Sequence, residues 1–295
     1  MILEIKYWSG VLVLVLIPIF GLSQETPLNF ITELPGNIDE SSGLIYTPKG
    51  IFTHNDDNKP EIFRINPVSG EILQTITIQN ITFDDKEAIT FDGEFLYLGD
   101  FGNNDGDRRD LKVVKISFAE ITDEPMLNVS GEIIAFHYPE QSSFNLKKKD
   151  NAFDCEAMIS SGDHIYLFTK QRNDHQTTLY AIPKKPGYHS AQKMDVFDVN
   201  GRVSDAALSP DSKTLLLLGY QDDHQFPFLW KFSDFTRTDF FSGNHKLSLI
   251  SKSELDWQTE GITFINKNDL LISSERTNEV EASLYHGSLE DLFGE

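Results

Sequence analysis

The chain has 295 residues, of which 39% are hydrophobic and 12% aromatic, so it is long enough to bury a sizeable core in one large domain or two small ones. Its formal net charge of −21 disfavours nucleic acid and anionic membranes as partners, because both are negatively charged. Cys155 is the sole cysteine, which excludes an internal disulfide and predicts a small buried side chain rather than a catalytic thiol.

Residues 1–23 have the pattern of a cleaved secretory signal peptide. Lys6 precedes a ten-residue apolar run, 11–20, and the small residues Gly21 and Ser23 follow it. The run is too short to span a bilayer, although an acidic residue before it and a proline within it leave a retained anchor as an alternative. We expect residues 24–295 to form the mature chain, outside the cytoplasm and without stable membrane insertion after cleavage.

Five segments of the mature chain resemble one another, each with a polar residue, a small residue and an apolar run. They are SGLIY from Ser42, EAITF from Glu87, EAMIS from Glu156, DAALS from Asp205 and EGITF from Glu260. Thirteen to fifteen residues after each polar position a second run ends, at Asn55, Asp100, Lys170, Tyr220 and Glu275. Alternating hydrophobicity, β-branched and aromatic residues and intervening turns predict a strand hairpin in each repeat.

Two further strand-like runs follow in each of the first four repeats. In chain order they are 61–65 and 71–78, 111–116 and 132–138, 177–182 and 193–199, and 226–232 and 246–250. The fifth repeat has only 282–288, and residues 28–34, which precede the first repeat, can supply its missing outer strand. The sequence therefore predicts an all-β fold, a single five-bladed β-propeller closed by the N-terminal strand, which leaves no long open edge.

The spacing of the repeats leaves one alternative. The first polar positions are 45, 69, 49 and 55 residues apart, close to the length of a four-stranded blade. The long gap contains 139–154, which shows no sixth repeat signature, so an inserted loop is the preferred interpretation and a six-bladed propeller is the alternative.

The repeated polar residues predict a cation site in the central channel. The innermost strand of a blade starts where the next strand ends, so Ser42, Glu87, Glu156, Asp205 and Glu260 are expected around the axis at one mouth. Carboxylates gathered there repel one another unless some are protonated or a cation lies among them. Oxygen ligands without His or Cys favour Ca²⁺, and wet, unliganded carboxylates are the alternative.

A few basic residues are expected at the same mouth. Lys170, Arg172 and Arg276 follow second strands, and Arg108 and Arg109 lie in the loop after Asp100. Beside a metal these cations can hold the phosphate or carboxylate of a small anionic ligand. Ordinary surface ion pairs are the competing interpretation.

The sequence resembles secreted bacterial propellers of the phytase-like and SGL-like type. The likeness rests on DESSGLIY, THNDD, KEAITFDGEFLYLGDFGNN, FDCEAM and QTEGITF, and it covers roughly residues 30–288. It implies a propeller that is secreted or periplasmic in a bacterium, and it implies little about chemistry.

The ring of polar residues is also similar to that of calcium-activated nucleotidases, or apyrases, whose five-bladed propeller holds one Ca²⁺ at the channel centre. This resemblance places calcium ligands at Ser42, Glu87, Glu156, Asp205 or its neighbour Ser204, and Glu260. The nucleotidases carry Asp-Asp-Arg after the first hairpin, whereas this chain has Asp56, Asp57, Asn58 and Lys59. Loss of the guanidinium weakens bidentate phosphate contact, so the resemblance supports the calcium site more than nucleotide hydrolysis.

Two functions follow from these patterns. In the first, the chain is a secreted calcium-binding propeller that binds a small anionic ligand or another envelope or extracellular protein. In the second, it is a calcium-dependent phosphoester or ester hydrolase. There Asp100 or Glu87 would orient water, and Lys170, Arg172 or Arg276 would stabilise developing charge. No nucleophile motif is present, so binding is the preferred hypothesis.

Overall fold

The computed structural model describes residues 26–144, 150–171, 174–221, 225–252 and 254–294. The predicted signal peptide and the candidate residue Arg172 lie outside these ranges. Within them, five sheets, each built on four antiparallel strands, form a β-propeller with five blades, which excludes the six-bladed alternative.

Each blade contains four antiparallel strands, counted from the channel outward. Blade 1 has β2 (Ser41–Thr47), β3 (Gly50–Asn55), β4 (Glu61–Ile65) and β5 (Ile72–Ile78), and blade 2 has β6 (Lys86–Phe91), β7 (Phe95–Asp100), β8 (Lys112–Ser117) and β10 (Glu132–His137). Blade 3 has β11 (Cys155–Ser161), β12 (His164–Thr169), β13 (Gln176–Pro183) and β15 (Gln192–Asp198). Blade 4 has β16 (Arg202–Leu208), β17 (Thr214–Tyr220), β18 (Pro227–Ser233) and β19 (Asn244–Leu249).

Blade 5 combines strands from both ends of the described chain. It has β20 (Thr259–Phe264), β21 (Asp269–Ser274) and β22 (Ser283–Ser288), and β1 (Asn29–Glu33) pairs antiparallel with β22 as the outer strand. The prediction of ring closure by the N-terminal strand is confirmed. The backbone groups of β22 are thereby paired on both sides instead of forming an open edge.

Two short strands at the outer edges were not predicted. β9 (Met126–Val129) leaves blade 2 and pairs parallel with β5 of blade 1, and β14 (Gly187–Ser190) leaves blade 3 and pairs parallel with β10 of blade 2. Each is four residues long and largely exposed, so it lacks the buried alternating pattern by which a strand is recognised in sequence. Both strands tie one blade to its neighbour.

The hydrophobic core is divided among the blade interfaces. Five buried clusters fill the spaces between consecutive blades, and one of them, formed by residues such as Leu44 and Leu284, joins blade 5 to blade 1. Cys155 is fully buried in the cluster between blades 2 and 3, and burial raises the pKa of its thiol. A short helix, α1 (Leu289–Phe293), covers the interface of blades 4 and 5 with Leu292 and Phe293.

No helix within the described residues is both long and apolar enough to cross a membrane.

Candidate functional site

The polar residues of the repeats occupy β-bulges at the start of the inner strands. In blade 2, Lys86 pairs with Asp100 and Ala88 with Gly99, so Glu87 is an extra residue without a cross-strand partner. Glu156 and Glu260 are bulged in the same way, and blade 1 has a wider bulge that contains Ser42. A bulge re-aims a side chain that would otherwise follow the pleat of the strand, which explains why these positions recur.

Blade 4 departs from the predicted alignment. Val203 pairs with Gly219 and Asp205 with Leu218, so the bulged residue is Ser204 and not Asp205. The prediction of Asp205 as the fourth member of the ring is therefore wrong by one residue, and its neighbour Ser204, which the resemblance to the nucleotidases gave as the alternative, occupies this position. The ring at the mouth consists of Ser42, Glu87, Glu156, Ser204 and Glu260.

Asp205 lies one layer deeper in the channel, where the other four blades have the small residues Gly43, Ala88, Ala157 and Gly261. Its carboxylate accepts hydrogen bonds from the backbone N–H of Ala206 at 2.8 Å and of Ile262 in blade 5 at 2.7 Å. Burial raises the pKa of Asp205 well above its ordinary value. This carboxylate joins blade 4 to blade 5 across the space that the small residues leave.

The two serines of the ring also connect blades. Ser42 donates to the carbonyl of Glu87 at 3.2 Å, and Ser204 donates to the carbonyl of Thr259 at 2.6 Å. Each hydroxyl proton is therefore committed to the next blade, while the oxygen keeps lone pairs for another contact.

The acidic mouth is the end of the channel at which the inner strands begin. It contains Glu40, Asp56, Asp85, Glu87, Asp154, Glu156, Glu260 and Glu275, with Lys170 among them. Backbone bonds bring the two strand ends together there: Asp56 N–H donates to Glu40 O at 3.1 Å, and Lys170 N–H donates to Asp154 O at 2.7 Å. The prediction that the start of each inner strand and the end of the next share one mouth is confirmed.

The carboxylates of the acidic mouth resist ionisation. Burial raises the pKa of Glu87 well above its ordinary value, and the charges of Glu156 and Asp85 raise it further. Burial and the charges of Glu40 and Asp85 raise the pKa of Asp56 to about 7. The pKa values of Asp85 and Glu275 are raised as well, in each case first by burial. The mouth therefore favours either protons or a cation.

Asp85 and Glu87 converge on one point beside Gly102. A Cβ added to Gly102 would lie 2.3 Å from Asp85 Oδ2 and 2.3 Å from Glu87 Oε1. Only glycine fits there, because any side chain would collide with both carboxylates. One carboxylate oxygen of Asp85 and one of Glu87, two residues apart in blade 2, therefore lie together against the backbone of Gly102.

The ammonium group of Lys170 lies among the carboxylates of the acidic mouth. Its Nζ is 3.2 Å from Glu156 Oε1, and both side chains are nearly inaccessible to solvent. Burial works against its charge, but the carboxylates of Glu156 and Glu260 outweigh burial, so the pKa of Lys170 is raised well above its ordinary value. One ammonium cannot neutralise all the surrounding carboxylates.

Asp100, predicted as a residue that orients water, has a different environment. It is fully buried, and its oxygens lie 3.0 Å from Arg108 Nη2 and 2.5 Å from Lys112 Nζ. They also accept the backbone N–H of Asp85 at 2.9 Å. Two cations and the start of β6 thus engage Asp100, which makes it a structural carboxylate.

The remaining predicted cations form ion pairs or stack. Arg276 lies 3.2 Å from Asp39 and 3.0 Å from Glu281 on a partly exposed surface. Arg109 stacks on the ring of Phe144, with 3.6 Å between the guanidinium carbon and the ring centroid. The surface ion-pair interpretation therefore describes Arg276, and none of these contacts indicates an anion site.

Several residues of the acidic mouth were missed by sequence reasoning. Asp85 and Asp154 stand two residues before Glu87 and Glu156, so blades 2 and 3 share an Asp-x-Glu pattern. Glu40 occupies the corresponding position of blade 1, two residues before Ser42. Extending the repeat alignment by two residues toward the N-terminus would have found this second set of carboxylates.

The comparisons with known proteins support the fold. The chain matches no protein-family model, and no curated protein shows significant similarity to it. Two solved structures resemble it at a TM-score of 0.50. The PQQ-bound aldose sugar dehydrogenase from Streptomyces coelicolor is 9% identical, with 88% of this chain and 98% of that chain covered. The glutaminyl cyclase of Myxococcus xanthus is 8% identical, with 88% and 97% covered.

At these identities the likeness shows the propeller fold alone. The chain is therefore a five-bladed β-propeller with an acidic mouth at one end of its channel. The predicted resemblance to phytase-like propellers and to calcium-activated nucleotidases stays a prediction.

Proposed function

We propose that this chain is a secreted or periplasmic binding protein that holds Ca²⁺ at the acidic mouth of its channel. The observation that supports it is the convergence of Asp85 and Glu87 on one point, with the pKa values of both carboxyls raised. A divalent cation would relieve the repulsion that raises these pKa values.

The donor set suits a hard cation. Most titratable groups at the mouth are carboxylates, with Lys170, Lys86 and Tyr220 beside them. Ca²⁺ prefers such oxygen ligands in flexible arrangements. Asp85 and Glu87 would hold the ion, with Glu156 as the nearest charged neighbour of Glu87. Within the described residues, however, no group of three or more His, Cys, Asp or Glu side chains is arranged around a common metal position. Two carboxylates are therefore in place, and the coordination is completed by water or by a side chain that moves.

Lys170 sets the strength of this site. Its ammonium pairs with Glu156 at 3.2 Å and competes with Ca²⁺ for the same negative charge. Because both cations favour ionised carboxylates, Ca²⁺ binding should release the protons that the raised pKa values retain. The bound ion would fix the conformation of the acidic mouth. The ligand or partner protein would contact the loops around the mouth.

Binding is favoured over hydrolysis by the state of the candidate catalytic groups. Asp100 is engaged by Arg108 and Lys112, and Lys170 is engaged by Glu156, so neither is positioned to act on a substrate. The hypothesis of a small anionic ligand loses support from Lys170, Arg108 and Arg276, because each of these described cations is paired with a carboxylate.

The test is calorimetric titration of the chelator-stripped protein with Ca²⁺ and with Mg²⁺, in two buffers of different ionisation enthalpy. We expect Ca²⁺-selective binding with proton release near pH 7, and a rise of about 2.7 kcal/mol in the free energy of unfolding at one hundred times the dissociation constant. For a domain of this size this corresponds to roughly 5 °C in Tm.

Two variants make the test specific. Glu87→Gln should abolish the Ca²⁺ response, whereas Glu94→Gln, an exposed carboxylate in the turn between β6 and β7, should leave it intact. A Ca²⁺ response that survives Glu87→Gln, or the absence of any response in the unaltered protein, would contradict the proposal.

A further inference from the structure

At the end opposite the acidic mouth, the channel contains a cavity of about 880 Å³. The later halves of all five inner strands line it, and the described bulge residues and Asp205 do not. Its volume lies within the range of small-molecule sites, roughly 300 to 1,000 Å³. In blade 4 the lining of the cavity begins at Ala206, directly after Asp205, whose carboxylate is hydrogen-bonded to the neighbouring blade 5.

The wall of the cavity combines apolar side chains and hydrogen-bonding groups in nearly equal proportion. Its apolar members include Ile45, Ile89, Ile159, Ile262, Phe91 and Phe264. Thr90, Ser160 and Thr263 add hydroxyls.

The cavity carries no net charge, although the chain has a formal charge of −21. Its charged lining residues, Asp92 and Lys184, pair with each other at 2.9 Å. Asp92 also accepts the hydroxyl of Tyr97 at 2.8 Å, and two backbone N–H groups, so its charge is compensated. A charged ligand would lose its hydration here and find no free counter-ion.

The inner strands add hydrogen-bonding groups of their own. β2, β6, β11, β16 and β20 are each the terminal strand of their sheet, so their free edges face the channel. The backbone N–H and C=O groups on such an edge lack a strand partner and require another one. A wall that offers apolar side chains together with amide and hydroxyl groups suits a molecule that has an apolar body and hydrogen-bonding atoms.

We propose that this cavity binds an uncharged small molecule that has an apolar body and at least one hydrogen-bonding group. The site is separate from the acidic mouth, and the proposal is independent of Ca²⁺ binding. Five blades enclose the ligand, while the acidic mouth at the other end excludes anions from the channel.

The experiment compares two fluorescent probes that share one ring system. N-phenyl-1-naphthylamine is uncharged at neutral pH, and 8-anilino-1-naphthalenesulfonate is the same molecule with a sulfonate added. We expect saturable binding of the neutral probe at one site per chain, with at least tenfold weaker binding of the sulfonate. Equal affinity for both probes, or the absence of saturable binding of the neutral probe, would overturn the proposal.

Variants locate the probe. Leu208→Trp places a large ring in the cavity from a partly buried position and should weaken binding of the neutral probe at least tenfold. Ser160→Trp does the same from the corresponding partly buried position of blade 3, and circular dichroism and Tm establish that each variant is folded. If both folded variants bind the neutral probe as tightly as the unaltered protein, the probe lies elsewhere and the proposal fails.

Glu87→Gln separates the two sites. It should remove the Ca²⁺ response and leave binding of the neutral probe unchanged, whereas Leu208→Trp should do the reverse. Loss of probe binding in folded Glu87→Gln would show that the cavity is not an independent site, which would contradict the proposal.

Discussion

The carboxylates of Glu87 and Asp100 flank the same hairpin of blade 2, yet the charges around them have opposite signs. Glu87 is buried beside other acids, which raises its pKa, while Asp100 is buried between Arg108 and Lys112. Sequence shows both as a polar residue next to a strand. Only the arrangement of charges around each one separates a ligand candidate from a structural anchor.

We expect Asp100→Asn to lower the free energy of unfolding by about 3 kcal/mol, because Arg108 and Lys112 would keep buried charge without its partner. Asp110→Asn is the matched control, since Asp110 pairs with the same arginine at 3.2 Å from an exposed position. It should cost less than about 1 kcal/mol. Urea denaturation of both variants measures the difference, and equal losses would show that Asp100 is not a structural anchor.

Lys170→Met provides a second prediction for a single residue. Without its ammonium, the buried carboxylate of Glu156 loses its partner, so the Ca²⁺-free protein should lose about 3 kcal/mol of stability. Ca²⁺ should restore most of this loss and bind more tightly than to the unaltered protein, because its competitor is gone. Thermal unfolding with and without Ca²⁺ measures both effects.

Lys184→Met is the control for Lys170→Met. Lys184 also forms a partly buried ion pair, 2.9 Å from Asp92, but at the opposite end of the channel. Its loss of stability should not respond to Ca²⁺. Equal Ca²⁺ rescue of both variants, or of neither, would count against a calcium site at the acidic mouth.

At the scale of strands, most of the fold could be predicted from the sequence. Alternating hydrophobicity located all twenty strands of the five blades, and the missing outer strand of the fifth repeat correctly assigned residues 28–34 to β1. β9 and β14 could not be predicted, since short exposed strands are stabilised by pairing with a neighbouring blade and not by a buried face of their own.

The site was predicted less completely, for a similar reason. Sequence aligns residues by type, so Asp205 was aligned with the glutamates, whereas backbone pairing places Ser204 at the bulge. The bulge is a property of two strands together, and one strand does not reveal it. The position of Lys170 within the acidic mouth likewise depends on how blades 3 and 5 face each other across the channel.

Strand β1 yields a prediction about ring closure. A chain that begins at residue 35 lacks β1 and the buried side chains of Leu28 and Leu34. We expect it to lose about 5 kcal/mol of stability, from several backbone hydrogen bonds and two buried leucines. It should also self-associate through the unpaired edge of β22.

A chain that begins at residue 28 keeps β1 and serves as the control. Urea denaturation and light scattering of the two chains measure stability and association. If the shorter chain were equally stable and monomeric, closure by β1 would be dispensable, contrary to the expectation.

At the scale of the whole molecule, the acidic mouth lowers the stability that packing between the blades provides. Five interface clusters hold the blades in a ring, and that ring forces the carboxylates at the inner strand ends together in a buried place. Crowding these carboxylates lowers the free energy of unfolding by an amount that depends on pH, because in the unfolded chain they are exposed to water and are ionised at neutral pH. Stability as a function of pH therefore reports on the mouth without any ligand.

Below pH 6.5, His54 and Asp56 change the free energy of unfolding in opposite directions as pH rises. Burial lowers the pKa of His54 to about 3, so the unfolded chain binds its proton more readily and stability rises with pH up to the ordinary value of 6.5. The carboxyl of Asp56, with a pKa of about 7 against an ordinary 3.8, holds its proton in the folded chain and loses it on unfolding. Its contribution falls as pH rises from 3.8 through 7.

Above pH 6.5 only the effect of Asp56 continues, so we expect the Ca²⁺-free protein to become less stable between pH 6.5 and 8, by roughly 0.5 kcal/mol from Asp56 after allowance for its partial exposure. Glu87 and Glu275 act in the same direction, since their pKa values are also raised. Saturating Ca²⁺ should abolish or reverse this trend, because the ion favours the ionised carboxylates. Urea denaturation at several pH values measures it, with Asp56→Asn expected to flatten the profile and the exposed Asp211→Asn expected to leave it unchanged. A stability that rose with pH in the Ca²⁺-free protein would mean that the carboxylates of the mouth are solvated and not crowded.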